Sequence, residues 1–200
     1  MITGTHRYLP RRRRGQSIAE RGKLGSMTDA PESAACAVAH GHGPAPIADR
    51  TLVAAFASPV ANFLLHFASD AGYRVVLVEP DPALAEGARG GGFEVISAVD
   101  GYLDETADVV VTDHHRPELG VVLRDALASK ARWVGIMGNP RHPGPHLAAL
   151  AELGVPQADI DRVHRPIGLN IGSRTPPEIA IATLAGLIAD RNGRPGGFTF

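Results

Sequence analysis

The chain has one cysteine, no long apolar run and no glycine fingerprint where its fold would place one, and each absence excludes something. Cys36 alone cannot form an intramolecular disulfide or an all-cysteine metal cluster. That is compatible with a reducing compartment, and a cytoplasmic protein is expected. Nothing approaches the ~18 consecutive apolar residues of a membrane span. No Ser-His-Asp or Cys-His arrangement is legible. Net charge is only −1, but it is unevenly placed. Residues 1–26 hold seven of the 20 Lys and Arg and only Glu20 of the 21 acids. The rest of the chain is therefore acidic, which argues against nucleic acid as a partner. The basic leader has no apolar h-region after its arginine run, so it does not read as a signal peptide. Met27 offers an alternative start.

What is present is enough apolar material, 44% of 200 residues, for one ordinary core. Residues 28–49 are rich in Ala, Pro, Gly and His without periodicity and read as a linker or loosely packed arm. His40-Gly-His42 within it lacks the ligand number of a metal site. Residues 1–50 are thus expected to be a disordered or loosely packed leader, 51–193 the folded domain, and 194–200 a tail.

From Thr51 strands alternate with helices. Strands are predicted at Thr51–Ala57, Tyr73–Glu79, Phe93–Ser97, Ala107–Thr112 and Arg132–Met137. Helices are predicted at Pro59–Ala71, Pro82–Arg89, Pro117–Ser129, Pro145–Leu153 and Pro176–Arg191. Continuous apolar strands separated by helices imply a parallel sheet covered on both faces. The fold class is α/β, a Rossmann-like doubly wound sheet in a single domain. Such sheets bind ligands at the carboxyl ends of the strands where strand order reverses.

The first βα turn reads Phe56-Ala-Ser-Pro-Val-Ala61. A dinucleotide site wants Gly-x-Gly-x-x-Gly there. Phe56 and Ser58 replace the first two glycines, and Pro59 adds bulk without an N–H donor. Ala61 keeps the helix packing close. NAD(P) binding is therefore not expected. Glu79, ending the second strand, stands where a ribose-binding acid would sit. Asp113-His114-His115 follows the fourth strand and points toward the same crevice. His142 and His146 have the spacing of two ligands on one helix face, but Pro143, Gly144 and Pro145 intervene.

The most specific stretch runs from His164 to Thr183. Gly168 and Gly172 let a loop turn sharply or approach a ligand. Arg174 stands at the mouth of a helix with Thr175 as N-cap, Pro176 in first position and Glu178 completing a capping box. The free N–H groups of that turn, beside an arginine, form a candidate anion seat.

Pro166-Ile-Gly-Leu-Asn-Ile-Gly-Ser-Arg-Thr-Pro-Pro-Glu-Ile-Ala180 resembles the C-terminal signature of the XdhC/CoxI family, with Asn170 where the family usually has Asp. Arg132-Trp-Val-Gly-Ile-Met-Gly-Asn139 is similar to that family's Gly-x-x-Gly-Ser turn, with Asn139 for Ser and Arg141 as the nearby basic residue. Val110-Val-Thr-Asp-His-His115 is a weaker match. The resemblance spans about Thr51 to Arg191 and implies an accessory protein for molybdenum hydroxylases such as xanthine or carbon monoxide dehydrogenase. Such proteins bind the molybdenum cofactor (molybdopterin), guard its sulfurated form and deliver it, working with a cysteine desulfurase. Taken with the strand-end reasoning above, the candidate ligand residues are Ser58, Glu79, His114, Gly135, Gly138, Asn139, Arg141, Gly168, Gly172, Arg174 and Thr175. Two alternatives stay open: an NAD(P)-dependent oxidoreductase with a degenerate fingerprint, and a ligand-free interaction module, for which a homodimer is one form.

Overall fold

A computed structural model describes residues 34–41, 49–99, 101–139 and 141–197. The basic leader 1–26, His42 and the last three residues of the tail lie outside the described residues. The chain divides into two units, Met1–Ala45 and Pro46–Phe200. In the first, Ala34–Ala39 forms a short helix, α1, within a stretch the sequence reads as linker. Four of its six residues are alanine, the best helix former, and this local propensity needs no apolar periodicity.

The second unit is built on five strands: β1 Thr51–Ala55, β2 Arg74–Val78, β3 Glu94–Ile96, β4 Ala107–Val111 and β5 Trp133–Ile136. Its helices are α2 Pro59–Asp70, α3 Pro82–Arg89, α4 Leu119–Ala128, α5 Pro145–Glu152, α6 Gln157–Ile160 and α7 Pro176–Arg191. Every strand pairing is parallel, in the order β3-β2-β1-β4-β5. The sequence reading places these elements to within about three residues and misses only α1 and the single turn α6, which is too short to show a helical period.

The central strands β1 and β4 are buried at every position, as continuous apolar runs in a sheet covered on both sides must be. Alternate residues feed two cores. Leu52 and Ala54 pack with Leu64, Leu65 and Ala68 of α2 and Ala180, Leu184 and Leu187 of α7. Val53 and Ala55 pack on the other side with Val122, Leu123 and Ala126 of α4 and Leu150 of α5. The buried carboxylate Asp108 binds Arg132 at 2.8 Å and Arg191 at 2.7 Å, joining the last turn of α7 to the amino end of the sheet. The first turn of α7 therefore lies toward the carboxyl edge. So does that of α2, which follows directly on β1, and strand order reverses between β1 and β4. Among the described residues no helix is long and apolar enough to cross a membrane.

Candidate functional site

The crevice at the reversal point is walled by the turns after β1 and β4, and its floor is already hydrogen-bonded. Ser58 caps α2, accepting from the Ala61 N–H at 3.0 Å, and donates to the Thr112 hydroxyl at 3.0 Å. Thr112 Oγ1 in turn lies 2.9 Å from the Phe56 carbonyl. Phe56 has φ +75°, the left-handed region a glycine would occupy without strain. The turn thus keeps the shape glycine gives. The Phe56 ring does not project into the crevice but packs, fully buried, in the α4 core. Arg116 lies over it, 4.9 Å from the ring centre.

Glu79 closes this half of the edge. Its buried carboxylate takes a backbone and a guanidinium donor on each oxygen. Oε2 accepts from Ala57 N at 2.7 Å and Arg116 Nη1 at 3.1 Å. Oε1 accepts from Asp81 N at 2.9 Å and Arg116 Nη2 at 2.8 Å. Burial pushes the carboxyl up, but Arg116 and the two N–H groups outweigh it and hold it below its ordinary range. Ala57 N–H, which a dinucleotide-binding turn would offer to phosphate, is spent on Glu79. Glu79 is committed to a clamp across the turns after β1, β2 and β4, and Arg116, its partner, was not singled out from sequence.

The glycines of the signature segments mostly serve packing. A Cβ on Gly135 would lie 2.2 Å from the Trp133 ring and 2.9 Å from Ile167. Gly168, with φ +84°, lies against the backbone of α7 at Ala182 and Thr183, where Gly186 gives equal room on the helix. Gly186 gave no sequence signal beyond being a glycine in a helix. Gly138 is covered by the Arg165 guanidinium, Nε being 2.8 Å from where a Cβ would stand. Gly172, with φ +70°, faces open space.

Beyond β4 and β5 the polar groups face outward. Half-buried His114 packs against His115, ring centres 4.1 Å apart and planes tilted by 40°. Burial, the second imidazole and Arg165 lower its pKa, against Asp113. Asn139 shapes the β5 turn: its side chain accepts from Arg141 N at 3.0 Å and its carbonyl from Arg165 Nη2 at 2.7 Å. Arg141 itself is exposed. His146, in the first turn of α5, is 5% exposed, and its Nδ1 has no hydrogen-bond partner. Its pKa is lowered by burial and then by the Arg165 charge. His142 is exposed in the preceding turn, so the two histidines do not form a ligand pair. Arg174 and Thr175 are exposed at the start of α7, and their N–H groups already donate to Glu178 Oε2 at 2.8 and 3.1 Å. The structure thus gathers His114, Gly138, Asn139 and Arg141 at one end of the edge, with Arg165 and His146 added. Ser58 and Glu79 belong to the clamped end, and no hydrogen bond links Arg174 to either group.

Residues 52–187 match the family model described as the XdhC Rossmann domain. The chain belongs to the XdhC Rossmann domain family. The matched residues include both the loop that carries Gly168 and most of α7, against which Gly168 packs. The chain is 33% identical over 102 residues to the uncharacterised protein YqeB of Escherichia coli K12, covering 51% of this chain but only 18% of that protein. It also resembles a crystal structure of a Bacillus halodurans protein described as a xanthine dehydrogenase. That likeness has a TM-score of 0.59 and 24% identity, over 72% of this chain and 45% of that one, and it supports the fold.

Proposed function

We propose that this chain is an accessory protein in molybdenum hydroxylase maturation, holding the molybdenum cofactor at the carboxyl edge of its sheet and passing it to a hydroxylase of the xanthine or carbon monoxide dehydrogenase type. The observation that carries the reading is membership of the XdhC Rossmann family over residues 52–187. The geometry agrees in two respects. The β1 turn has its Ala57 N–H spent on Glu79 and lacks the N–H of Pro59, which leaves little for a nucleotide pyrophosphate. The β4–β5 end instead carries exposed Arg141 and half-buried Arg165, neither paired with a carboxylate among the described residues, and such guanidinium groups suit an anionic ligand with a phosphate. When bound, the cofactor supplies the redox-active metal. The chain supplies the donors that orient its anionic end and the turns that shield it. Arg174 and Thr175 offer a second set of donors at the start of α7, with Glu178 competing for their backbone. A cytoplasmic site of action and a cysteine desulfurase as partner follow from the same reading.

The test is hydroxylase loading. A molybdenum hydroxylase is produced in a cofactor-making host with and without this chain, and its molybdenum and terminal sulfur are measured. The chain is expected to raise both. Equal loading in its absence would overturn the reading.

A further inference from the structure

We infer that the groove between α2 and α3 is a binding site for an uncharged bicyclic aromatic small molecule with one hydrogen-bonding edge. The site stands whether or not the chain holds a molybdenum cofactor, and its failure leaves that reading untouched.

Helices α2 and α3 cover the same face of the sheet, where Leu64 and Ala88 belong to one core. Extensive packing joins α2 to α7 and α3 to β3, but none comparable joins α2 to α3. Between them lies a half-open cavity of about 250 Å³. Its α2 wall is Ser58, Ala61, Asn62 and Leu65, and its α3 wall is Leu84, Gly87 and Ala88 with Gly91 just beyond. Each wall has the i, i+3, i+4, i+7 spacing of one helix face. The cavity runs from Ala57 and Ser58, at the carboxyl edge, to Phe93, just before the amino end of β3.

The lining sets the class of ligand. Ser58 and Asn62 are its only polar side chains and none is charged, so an ion entering would lose water without gaining a counter-charge. Ala61, Leu65 and Leu77 are buried around it, and Leu84 stands 45% exposed on its rim, apolar surface that an occupant would cover. Phe93 adds an aromatic wall, set nearly perpendicular to the His66 ring 4.8 Å away, and a ring favours a ring beside it. An apolar cavity of roughly 150 Å³ admits benzene, so this larger one suits two fused rings. Asn62 is exposed, and its backbone groups bond Ser58 and His66. Its side-chain amide has no partner among the described residues and offers a donor and an acceptor to the edge of the ligand.

The α3 wall is opened by a missing side chain. Gly87 lies inside α3, where glycine is less stable than alanine. It does not have a positive φ, and a Cβ there would meet no atom within 4 Å. Neither backbone conformation nor a neighbour therefore requires glycine, in contrast to Gly135 under Trp133 and Gly168 against α7. The space beside Gly87 borders the cavity and no protein atom takes it, which leaves it to a ligand.

The experiment titrates indole and 1-methylindole into the full chain as wild type, Gly87→Ala, Gly87→Leu, Leu84→Ala, Asn62→Ala and Leu147→Ala. Amide ¹⁵N shifts read affinity and place, and thermal melting reads stability. Indole is expected to saturate with a Kd of about 0.1–1 mM, the range of so small a ligand, and to move the Gly87 and Gly91 amides. Gly87→Ala should melt about 2–4 °C higher, as a better helix former, yet bind more weakly. Gly87→Leu should lose about tenfold or more in affinity by filling the groove. Leu84→Ala should lose about fivefold with its share of apolar contact. Asn62→Ala should weaken indole about fivefold, the loss of one hydrogen bond, but not 1-methylindole, which has no N–H to donate. Leu147→Ala, an exposed leucine of α5, should stay within about twofold of wild type. Absence of saturable indole binding, shifts centred away from α2 and α3, or a folded Gly87→Leu that binds as wild type does, overturns the site. Should Gly87→Leu not fold, Gly87→Ala and Leu84→Ala decide in its place, and wild-type affinity in both overturns the site. Equal dependence of the two probes on Asn62 overturns the hydrogen bond assigned to it.

Discussion

Glu79→Gln is the sharpest test of how the carboxyl edge is held together. Each oxygen of Glu79 accepts one backbone N–H and one Arg116 N–H, four bonds of 2.7–3.1 Å in all. Glutamine keeps the shape but has one acceptor oxygen. Whichever way its amide turns, the NH₂ faces a backbone donor and a guanidinium donor, so two charge-assisted bonds are lost. At about 1.5–3 kcal/mol for each such bond, the loss is about 3–6 kcal/mol, close to the range of about 3–5 kcal/mol found when one member of a buried ion pair is removed. A domain of this size has about 5–15 kcal/mol in total, so the effect is large. Urea unfolding should show a lower midpoint with an unchanged slope. Arg116→Ala should cost a similar amount, and the double variant much less than the two together, because both remove the same bonds. The pH dependence follows from the lowered Glu79 pKa. A depressed carboxyl stabilises fully above the unfolded value, near pH 4.3, and loses that contribution as pH falls through the folded one. Wild type should therefore lose more stability than Glu79→Gln on acidification below about pH 4.3, and the two should converge. A loss under about 1 kcal/mol for Glu79→Gln, or simple additivity with Arg116→Ala, would refute the clamp.

Gly135→Ala should cost about 1–3 kcal/mol by overpacking against Trp133, and since Trp133 is the only tryptophan, its fluorescence reports the displaced ring directly. Phe56→Gly should destabilise by about 2 kcal/mol in thermal unfolding, because the lost ring burial exceeds the strain relieved at φ +75°, and it should not create NADH binding in calorimetry. Asp108→Asn should cost about 3–5 kcal/mol through Arg132 and Arg191, yet leave ligand affinity unchanged, because Asp108 lies at the opposite end of the sheet. Thr175→Ala should lower the unfolding free energy by about 1 kcal/mol through the α7 cap.

The fold was legible because its signals are local and repeated. Apolar runs such as Val75-Val-Leu-Val78 gave the strands, and proline at first helical positions with glycine beyond the last gave the helices. The candidate site was legible only in part. His114, Asn139 and Arg141 lie where strand-end reasoning puts them. Glu79 sits at the expected strand end, but its carboxylate is turned to Arg116, a partner 37 residues away that no spacing rule connects. Gly135, Gly138 and Gly168 read as ligand-approach glycines, whereas the room beside each is filled by Trp133, Arg165 and α7. A missing side chain in the sequence does not say which neighbour takes its place. His146 is discounted when judged against His142 on a helix; its relevant neighbour is Arg165, brought beside it by the return of the chain along β5, where Gly135 bridges to His164.

The central claim is that this chain holds the molybdenum cofactor, and the most direct measurement is the pterin and molybdenum content of the protein purified without oxygen from a cofactor-replete host. Bound pterin is expected to approach one per chain. Protein that emerges folded, with pterin no higher than in an unrelated control prepared alongside it, would contradict the account.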